Sequence, residues 1–311
     1  MPAYANCMMH ETTMRHSRLV ISASALVVWV MIAAPSEGQQ PCRIVRGLSL
    51  LPDLPEASGL AASQRNPGVL WTHNDSGEPF VFAITATGGV KSRVRVTGAQ
   101  VWDWEDISVG PCPKGSCLYI ADIGDNDRRR RTVTIYRTPE PAPGDAQTEN
   151  VEVLHATYPD GAHDAEALFV LPGGDLFIVT KGNFVPAALY RFASPFRDGA
   201  TVALERVAAL VPTKANGRDT SAARNLRITD ADASPDGRWI VLRTPRALMF
   251  YDAREFVSGQ IREVSRFDLT PAHEPQGEGV ALSAAGDVWL VGEGGGKSQP
   301  GTFLRLSCTL H

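Results

Sequence analysis

This sequence has no surplus of basic residues and few aromatic residues. Its 311 residues include 30 Lys and Arg against 34 Asp and Glu, a formal net charge of −4, and only 7% are Phe, Trp or Tyr. Proteins that bind nucleic acid usually carry an excess of positive charge, and those that bind single strands add aromatic stacking surfaces. We therefore expect no nucleic-acid partner.

Long hydrophobic runs are also scarce, and the one present lies near the N-terminus. Leu19–Ala34 is a 16-residue apolar run that follows Arg15 and Arg18 and precedes Pro35–Gly38. This order of charge, apolar run and small residues is typical of a secretory signal, and 16 residues are short for a membrane span of about 20. We predict a signal peptide over 1–38 and a secreted or periplasmic domain over 39–311, with no membrane attachment after cleavage. An uncleaved anchor is the alternative.

Cysteine is rare, with five in the chain, and Cys7 lies in the predicted signal. The four that remain are an even number in an oxidising compartment, which favours two disulfides. The short spacing of Cys112 and Cys117 favours a bond within one turn, which leaves Cys42 to pair with Cys308. A zinc site is disfavoured, because only one close pair of cysteines exists.

Glycine and proline are plentiful, at 28 and 22 residues, and they separate many short apolar runs. Five segments of the chain share one pattern, in which an acidic residue or Gln is followed two positions later by an acidic residue or Ser. Each segment precedes a turn and further short apolar runs. The five segments are Glu56–Leu60, Asp103–Ile107, Asp164–Leu168, Asp230–Ser234 and Gln276–Val280. Repeated units of short strands are typical of radial all-β folds.

The spacing of the repeats predicts the number of blades. Successive repeats lie 47, 61, 66 and 46 residues apart, and about 45 residues is the length of a four-stranded propeller blade. The last unit has only 30 residues from Glu278 to Cys308, and the 16 residues from Cys42 to Ser58 complete it. We predict an all-β, five-bladed β-propeller closed by an N-terminal strand, Arg43–Leu51. A six-bladed ring with one degenerate blade is the alternative.

The two longer units contain insertions, over 138–148 and 212–225. The second insertion carries Lys214, Arg218 and Arg224. Both are predicted to be loops, and long loops in compact domains are often functional or disordered.

The repeated polar positions are candidates for a metal site. In a propeller the first strand of each blade lines the central channel, so five side chains should converge: Ser58, Glu105, Glu166, Asp232 and Glu278. Ionised carboxylates about 5 Å apart repel by about 3 kcal/mol per pair at an effective dielectric constant of 20. Oxygen ligands without sulfur or imidazole suit Ca²⁺, with Mg²⁺ as the second choice. The alternative is that these acids bind nearby backbone N–H groups.

The second strand of each blade ends at the same mouth of the channel and brings further polar residues. We expect four of them to bind a small anionic substrate: Asn74, Arg128, Lys181 and Arg243. Alternatively, Arg128 belongs to a solvated loop and Lys181 neutralises Glu166.

A general base for a metal-polarised water is also expected at this mouth. The candidates are Asp75 and His73, although His73 could instead bond to the adjacent turn. The sequence contains no Gly-x-Ser-x-Gly segment, so no nucleophile-elbow hydrolase is indicated.

The order Ser, Glu, Glu, Asp, Glu around five blades resembles the soluble calcium-activated nucleotidase (apyrase) family. Local matches are Asp103–Glu105, Gly277–Val280, Asn74–Gly77 and Leu118–Gly124. The resemblance implies a five-bladed propeller with a central Ca²⁺ held by Ser and Glu side chains. This sequence departs from the family at Asp232, where the family has a Ser, and at Asn74, where the family has an Asp, and it shows no match to the family's nucleoside-binding segments. It is also similar in general design to gluconolactonase-like and phytase-like propellers.

These features predict a secreted, Ca²⁺-dependent hydrolase of a phosphate ester or anhydride, acting as a monomer. Two alternatives remain, since a fold by itself implies no activity. One is a lactonase-like hydrolase. The other is a non-catalytic propeller that binds a ligand or protein and has a structural metal.

Overall fold

The computed structural model describes residues 40–183, 185–210, 213–214, 217–218, 226–296 and 298–310. The predicted signal peptide and most of the insertion at 212–225 lie outside these ranges. Within them, no helix has both the length and the apolar character needed to cross a membrane.

Nearly all of the regular secondary structure in the described chain is β-strand. In chain order the strands are β1 (Cys42–Leu51), β2 (Ala57–Ala62), β3 (Val69–Asn74), β4 (Phe80–Thr85), β5 (Val90–Arg95), β6 (Trp104–Cys112), β7 (Gly115–Asp122), β8 (Val133–Pro139), β9 (Glu152–Thr157), β10 (Ala165–Val170), β11 (Leu176–Thr180), β12 (Ala188–Phe192), β13 (Thr201–Ala203), β14 (Glu205–Ala209), β15 (Thr213–Lys214), β16 (Gly217–Arg218), β17 (Asp230–Ala233), β18 (Trp239–Thr244), β19 (Ala247–Asp252), β20 (Glu263–Asp268), β21 (Gln276–Leu282), β22 (Asp287–Glu293) and β23 (Gly301–Cys308). A short helix, α1 (Ala253–Val257), lies between β19 and β20, and a 3₁₀ turn, Thr270–Ala272, lies between β20 and β21.

The strands form five blades, as the repeat spacing predicts. Blade 1 contains β2 to β5, blade 2 contains β6 to β9, blade 3 contains β10, β11, β12 and β14, and blade 4 contains β17 to β20. Blade 5 contains β21, β22, β23 and β1, while β13 adds to blade 2 in parallel with β9. The first strands contact one another around the ring, in the order β2, β6, β10, β17, β21 and back to β2. This arrangement confirms the five-bladed propeller.

The N-terminal strand closes the ring, also as predicted. Strand β1 pairs antiparallel with β23 and places Cys42 opposite Cys308, where the two form a disulfide with a Cα–Cα distance of 3.9 Å. The second disulfide joins Cys112 and Cys117 across the turn between β6 and β7. The N-terminal and C-terminal strands are therefore covalently joined within blade 5.

Inner strands differ from outer strands in composition because their surroundings differ. All six residues of β10 are buried, whereas exposed and half-buried residues alternate along most of β20. Near the axis the inner strands come so close that Gly59 has no room for a side chain. A Cβ there would lie 2.4 Å from the backbone N of Ile107 in blade 2. The close approach of the first strands of blades 1 and 2 thus requires glycine at this position.

Five apolar clusters, one between each pair of neighbouring blades, supply the burial that holds the ring together. Each cluster mixes side chains of two blades. Examples in ring order are Trp71 with Trp104, Tyr119 with Tyr190, Phe169 with Tyr251, Phe250 with Leu290, and Phe303 with Leu70. The last cluster joins blade 5 to blade 1, so ring closure has an apolar component as well as the disulfide.

The insertion at 138–148 is more ordered than the predicted loop. Its first residues continue β8 to Pro139, and the next residue, Glu140, is only 1% exposed. The Glu140 carboxylate accepts hydrogen bonds from Trp71 Nε1 at 3.0 Å and Ser116 Oγ at 2.7 Å. This segment therefore fastens blade 2 to blade 1 and has a structural function.

The two disulfides should differ in their contribution to stability. In the chain-entropy model, a bond that closes a separation of 266 residues contributes about 5 kcal/mol, and one that closes 5 residues contributes about 2 kcal/mol. We expect Cys42→Ser/Cys308→Ser to lose clearly more free energy of unfolding in urea than the matched control Cys112→Ser/Cys117→Ser. Equal losses would contradict ring closure by the long-range bond.

Candidate functional site

One end of the propeller gathers the polar residues of every blade, and we call this end the rim. Its position follows from strand pairing, because the start of each first strand lies opposite the end of the second strand. The paired positions are Ala57 with Asn74, Trp104 with Asp122, Ala165 with Thr180, Asp230 with Arg243, and Gln276 with Glu293. The same register in five blades brings side chains distant in sequence to one mouth of the channel.

A β-bulge at the rim orients the predicted channel residues in four blades. The register shifts at Ser58 in blade 1, Glu105 in blade 2, Glu166 in blade 3 and Glu278 in blade 5. A bulge leaves its extra residue outside the ladder and redirects its side chain. In blade 4 the pairing is regular, and Asp232 lies directly opposite Val241.

The absence of a bulge in blade 4 corrects the expectation for Asp232. Its carboxylate accepts hydrogen bonds from Leu282 N and from Ala233 N, both at 2.8 Å, so it bonds to blade 5 and to its own strand. Burial raises the pKa of Asp232 well above its usual value. The alternative of local backbone bonding therefore holds for this residue, and the structure does not bring it to the metal candidates.

Ser58 also makes a hydrogen bond to the backbone, because its Oγ donates to the carbonyl oxygen of Glu105 at 2.7 Å. This bond joins the bulges of blades 1 and 2. Glu278 is 8% exposed and accepts a hydrogen bond from Gln276 Nε2 at 2.9 Å. It remains close enough to Glu166 to raise the pKa of that residue.

Three carboxylates form the central cluster: Glu105, Asp164 and Glu166. One oxygen from each lies within 4.8 Å of the others. Glu105 is 9% exposed, and among the described residues none donates a hydrogen bond to its carboxylate. Burial, followed by Glu166 and Asp103, raises the pKa of Glu105 well above its usual value. A largely buried carboxylate without protein donors is costly unless water, a proton or a cation balances it.

Gly124 makes room for this arrangement. A Cβ at this position would lie 2.3 Å from Glu105 Oε1 and 2.4 Å from Asp103 Oδ2. A larger residue at this position would displace both carboxylates, so glycine allows the loop after β7 to pass beside them as they stand. This contact adds Asp103 to the surroundings of the central cluster.

Further carboxylates surround the central cluster. Together with the three of the cluster they form what we call the carboxylate ring, and they are Glu56, Asp75, Asp103, Glu278 and Glu293. Burial, followed by Glu56 and Asp103, raises the pKa of Asp75 to about 6, and Asp75 Oδ1 is buried without a hydrogen-bond partner among the described residues. Burial, followed by Glu278, Asp75 and Glu56, raises the pKa of Glu293 to about 7. These groups are electrostatically connected, since each disfavours the charge of its neighbours.

Lys181 supplies positive charge inside the ring. Its Nζ contacts the Glu166 carboxylate and lies 3.7 Å from Asp164 Oδ2. Burial opposes its charge, but Glu166 and Asp164 hold the pKa of Lys181 above its usual value. Even so, burial raises the pKa of Glu166 to about 8 against the effect of Lys181. One lysine does not balance the carboxylates of the ring.

Two of the predicted site residues belong to second strands that end at the rim, but their side chains are buried and make structural contacts. His73 is fully buried, its Nδ1 lies 3.1 Å from Asn74 O, and burial lowers its pKa to about 4. Arg243 is also fully buried, and its Nη2 donates to Glu274 Oε1 and Oε2 at 2.7 and 2.8 Å. Neither side chain is exposed to a ligand at the rim, so we assign neither a role in binding or catalysis.

The other predicted binding residues do lie at the rim. Asn74 Oδ1 accepts from Glu56 N at 3.2 Å, which helps to fix the Glu56 loop. Arg128 lines a small cavity together with Lys181, Asp164 and His163. Glu293 was not among the predicted site residues, although its position at the end of β22 corresponds to that of Lys181 after β11.

The donor set of the ring fits a hard divalent cation. Carboxylate oxygens surround the central cluster, and among the described residues neither cysteine nor histidine contributes to it. Oxygen ligands, including carboxylates, are what Ca²⁺ prefers, and Mg²⁺ uses the same ligands in a tighter octahedron. The residues that would hold the cation are Glu105, Asp164 and Glu166.

No protein-family model matches this sequence, and none of the curated proteins does. Solved structures of similar fold include the PQQ-bound aldose sugar dehydrogenase from Streptomyces coelicolor, at 12% identity over 86% of this chain and 98% of that chain, with a TM-score of 0.50. A glucose dehydrogenase matches at 12% identity, covering 84% and 99%, with a TM-score of 0.47. A gluconolactonase from Xanthomonas campestris matches at 12% identity, covering 86% and 95%, with a TM-score of 0.43. The similarity to the aldose sugar dehydrogenase extends to the fold alone, and the nucleotidase resemblance stays a prediction.

The raised carboxylate pKa values predict how stability depends on pH without a cation. The folded protein binds more protons than the unfolded chain from about pH 4 up to the folded-state pKa values, about 6 for Asp75, 7 for Glu293 and 8 for Glu166. The free energy of unfolding therefore falls as the pH rises through this range. In chelator we expect the melting temperature to fall by about 5 °C or more between about pH 5 and 8, and millimolar Ca²⁺ should reverse the fall.

The variant Glu105→Gln tests whether the ring causes this behaviour. It removes one charge from the central cluster, so the chelated protein should be more stable at about pH 8 and its response to Ca²⁺ should be weaker. Glu78→Gln is the matched control, because Glu78 is exposed and pairs with Arg95 away from the central cluster. Thermal unfolding with an equal Ca²⁺ response in both variants would contradict the metal site.

Proposed function

We propose that the protein is an exported hydrolase of small anionic esters that binds one Ca²⁺ at the rim. The observation that carries the proposal is the donor-free, buried Glu105 carboxylate, within 4.8 Å of Asp164 and Glu166, in a ring with more carboxylates than cations. Such a site is stabilised by a divalent cation, and its position beside open clefts gives a substrate access to it. When bound, the cation would polarise a carbonyl or phosphoryl oxygen of the substrate and acidify a water.

Asp75 is our candidate for the general base. It lies in the carboxylate ring beside Glu56 and Asp103, and burial raises its pKa to about 6, close to neutral pH. A base with a pKa near the working pH combines the correct protonation state with enough basicity. Its buried, unpartnered Oδ1 shows that no described residue uses this atom.

Lys181 and Arg128 have positions suited to a negatively charged substrate. Lys181 lines both the blade 4–5 side of the rim and the small cavity that contains Arg128. A substrate oxyanion would have a positive charge beside it at either position.

Mg²⁺ is the second choice for the metal.

Export is part of the proposal. Its support is the pair of disulfides, since such bonds persist mainly in oxidising compartments. The apolar run at 19–34 would supply the signal.

Activity is tested with a substrate panel, with Ca²⁺ and with chelator. The panel contains nucleoside di- and triphosphates, phosphomonoesters, phytate and sugar lactones. Asp75→Asn should lower kcat by about 10²- to 10⁴-fold, the usual contribution of a general base, while the Ca²⁺-induced rise in melting temperature remains. Asp175→Asn is the control, because Asp175 lies at the opposite end of blade 3 and pairs with Arg191.

Each outcome of the panel decides between the candidate functions. Turnover of lactones alone would retain the metal and ester hydrolysis but contradict an anionic substrate, because sugar lactones are uncharged. No turnover by folded, Ca²⁺-loaded protein would contradict the hydrolase and favour a binding protein with a structural metal.

A further inference from the structure

A polar cleft opens from the carboxylate ring between blades 4 and 5. Its volume is about 530 Å³, within the range of small-molecule sites. Glu166, Lys181 and Glu278 form the wall that it shares with the ring. A molecule in this cleft would therefore lie against the residues to which we assign cation binding.

The outer wall of the cleft has the opposite charge. We call it the basic wall, and it consists of Arg227, Arg246 and His273, all exposed. None of the three has an ion pair within 4 Å among the residues that the structure describes. By contrast, the exposed Arg262 and Arg266 of blade 4 both pair with glutamates. Arg227 and Arg246 are charged at neutral pH, and no described residue accepts a hydrogen bond from either guanidinium.

The backbone holds two of these residues in an unusual conformation. Arg227 has a φ of 50° and His273 a φ of 55°, in the left-handed region that side chains other than glycine seldom adopt. Hydrogen bonds fix both neighbourhoods, from Ile228 N to Lys181 O at 2.8 Å and from His273 N to Thr270 O at 3.3 Å. His273 caps the 3₁₀ turn Thr270–Ala272, where this conformation is common, so of the two residues it is Arg227 that is strained, and strained positions are concentrated at functional sites.

We propose that this cleft is the substrate pocket and that it selects a small molecule bearing an oxyanion, a carboxylate or a phosphate. The oxyanion lies against Arg227 and Arg246, which donate to it, with His273 beside them. The reacting end faces Glu166 and the rest of the central cluster. The proposal rests on the function proposed above and specifies its substrate class. Without the basic wall, the carboxylates of the ring would repel any anion that approached the cation.

The binding test uses three aromatic probes of similar shape on the full-length mature protein. Benzoate and phenyl phosphate carry the two oxyanions, and benzamide is the uncharged control. Isothermal titration calorimetry should show binding of at least one anion and much weaker binding of benzamide. The tighter of the two anions identifies the oxyanion that the cleft prefers.

The variant Arg227→Gln/Arg246→Gln should weaken anion binding by about 10- to 100-fold, since it removes two charge-assisted contacts. Arg46→Gln is the control, because Arg46 is exposed on β1, away from the cleft. Its affinity should equal that of the wild type. Benzamide binding as tightly as benzoate, no binding by any probe, or unchanged anion binding in the double variant would each overturn the proposal.

This result is independent of catalysis. Protein that binds the anion but hydrolyses no ester would retain the cleft and lose the hydrolase. Protein that hydrolyses anionic esters with an unchanged KM in the double variant would retain the hydrolase and lose the cleft.

Discussion

Repulsion among the carboxylates at the rim is the constraint on which this structure depends. The ring geometry brings Glu105, Asp164 and Glu166 together because their strands begin at the same end of the channel, and burial leaves them little solvent to screen their charge. Lys181 offsets part of this charge. The remainder requires protons or a cation, so stability, metal binding and substrate access at the rim have one electrostatic origin.

The architecture could be predicted from sequence because it depends on periodicity. The repeats have about the length of one blade, the final unit is short, and one cysteine lies near each end of the predicted domain. Together these features predict closure by an N-terminal strand, and the Cys42–Cys308 bond confirms this. Strand length and turn composition are local features, and the pairing of Cys42 with Cys308, 266 residues apart, follows from the residue count of the final unit. None of these features requires knowledge of how side chains pack.

The site could be predicted only in part, because its orientation depends on bulges and on neighbouring blades. Aligning the five repeats by sequence makes Asp232 equivalent to Glu166. In the structure, however, blade 4 lacks the bulge, and Asp232 bonds to blade 5. Arg243 has the sequence position of a rim residue, but its partner Glu274 precedes blade 5 and holds it in the interior. Such pairings between blades have no periodic signal in the chain.

The number of ions bound per chain tests the central claim most directly. Equilibrium dialysis against Ca²⁺ at about pH 8, followed by elemental analysis, should give one Ca²⁺ per wild-type chain and much less for Glu105→Gln, because the cluster then has one charge fewer. Wild-type protein that remains folded and retains no Ca²⁺ or Mg²⁺ at millimolar concentration would contradict the account, and protons alone would then balance the ring.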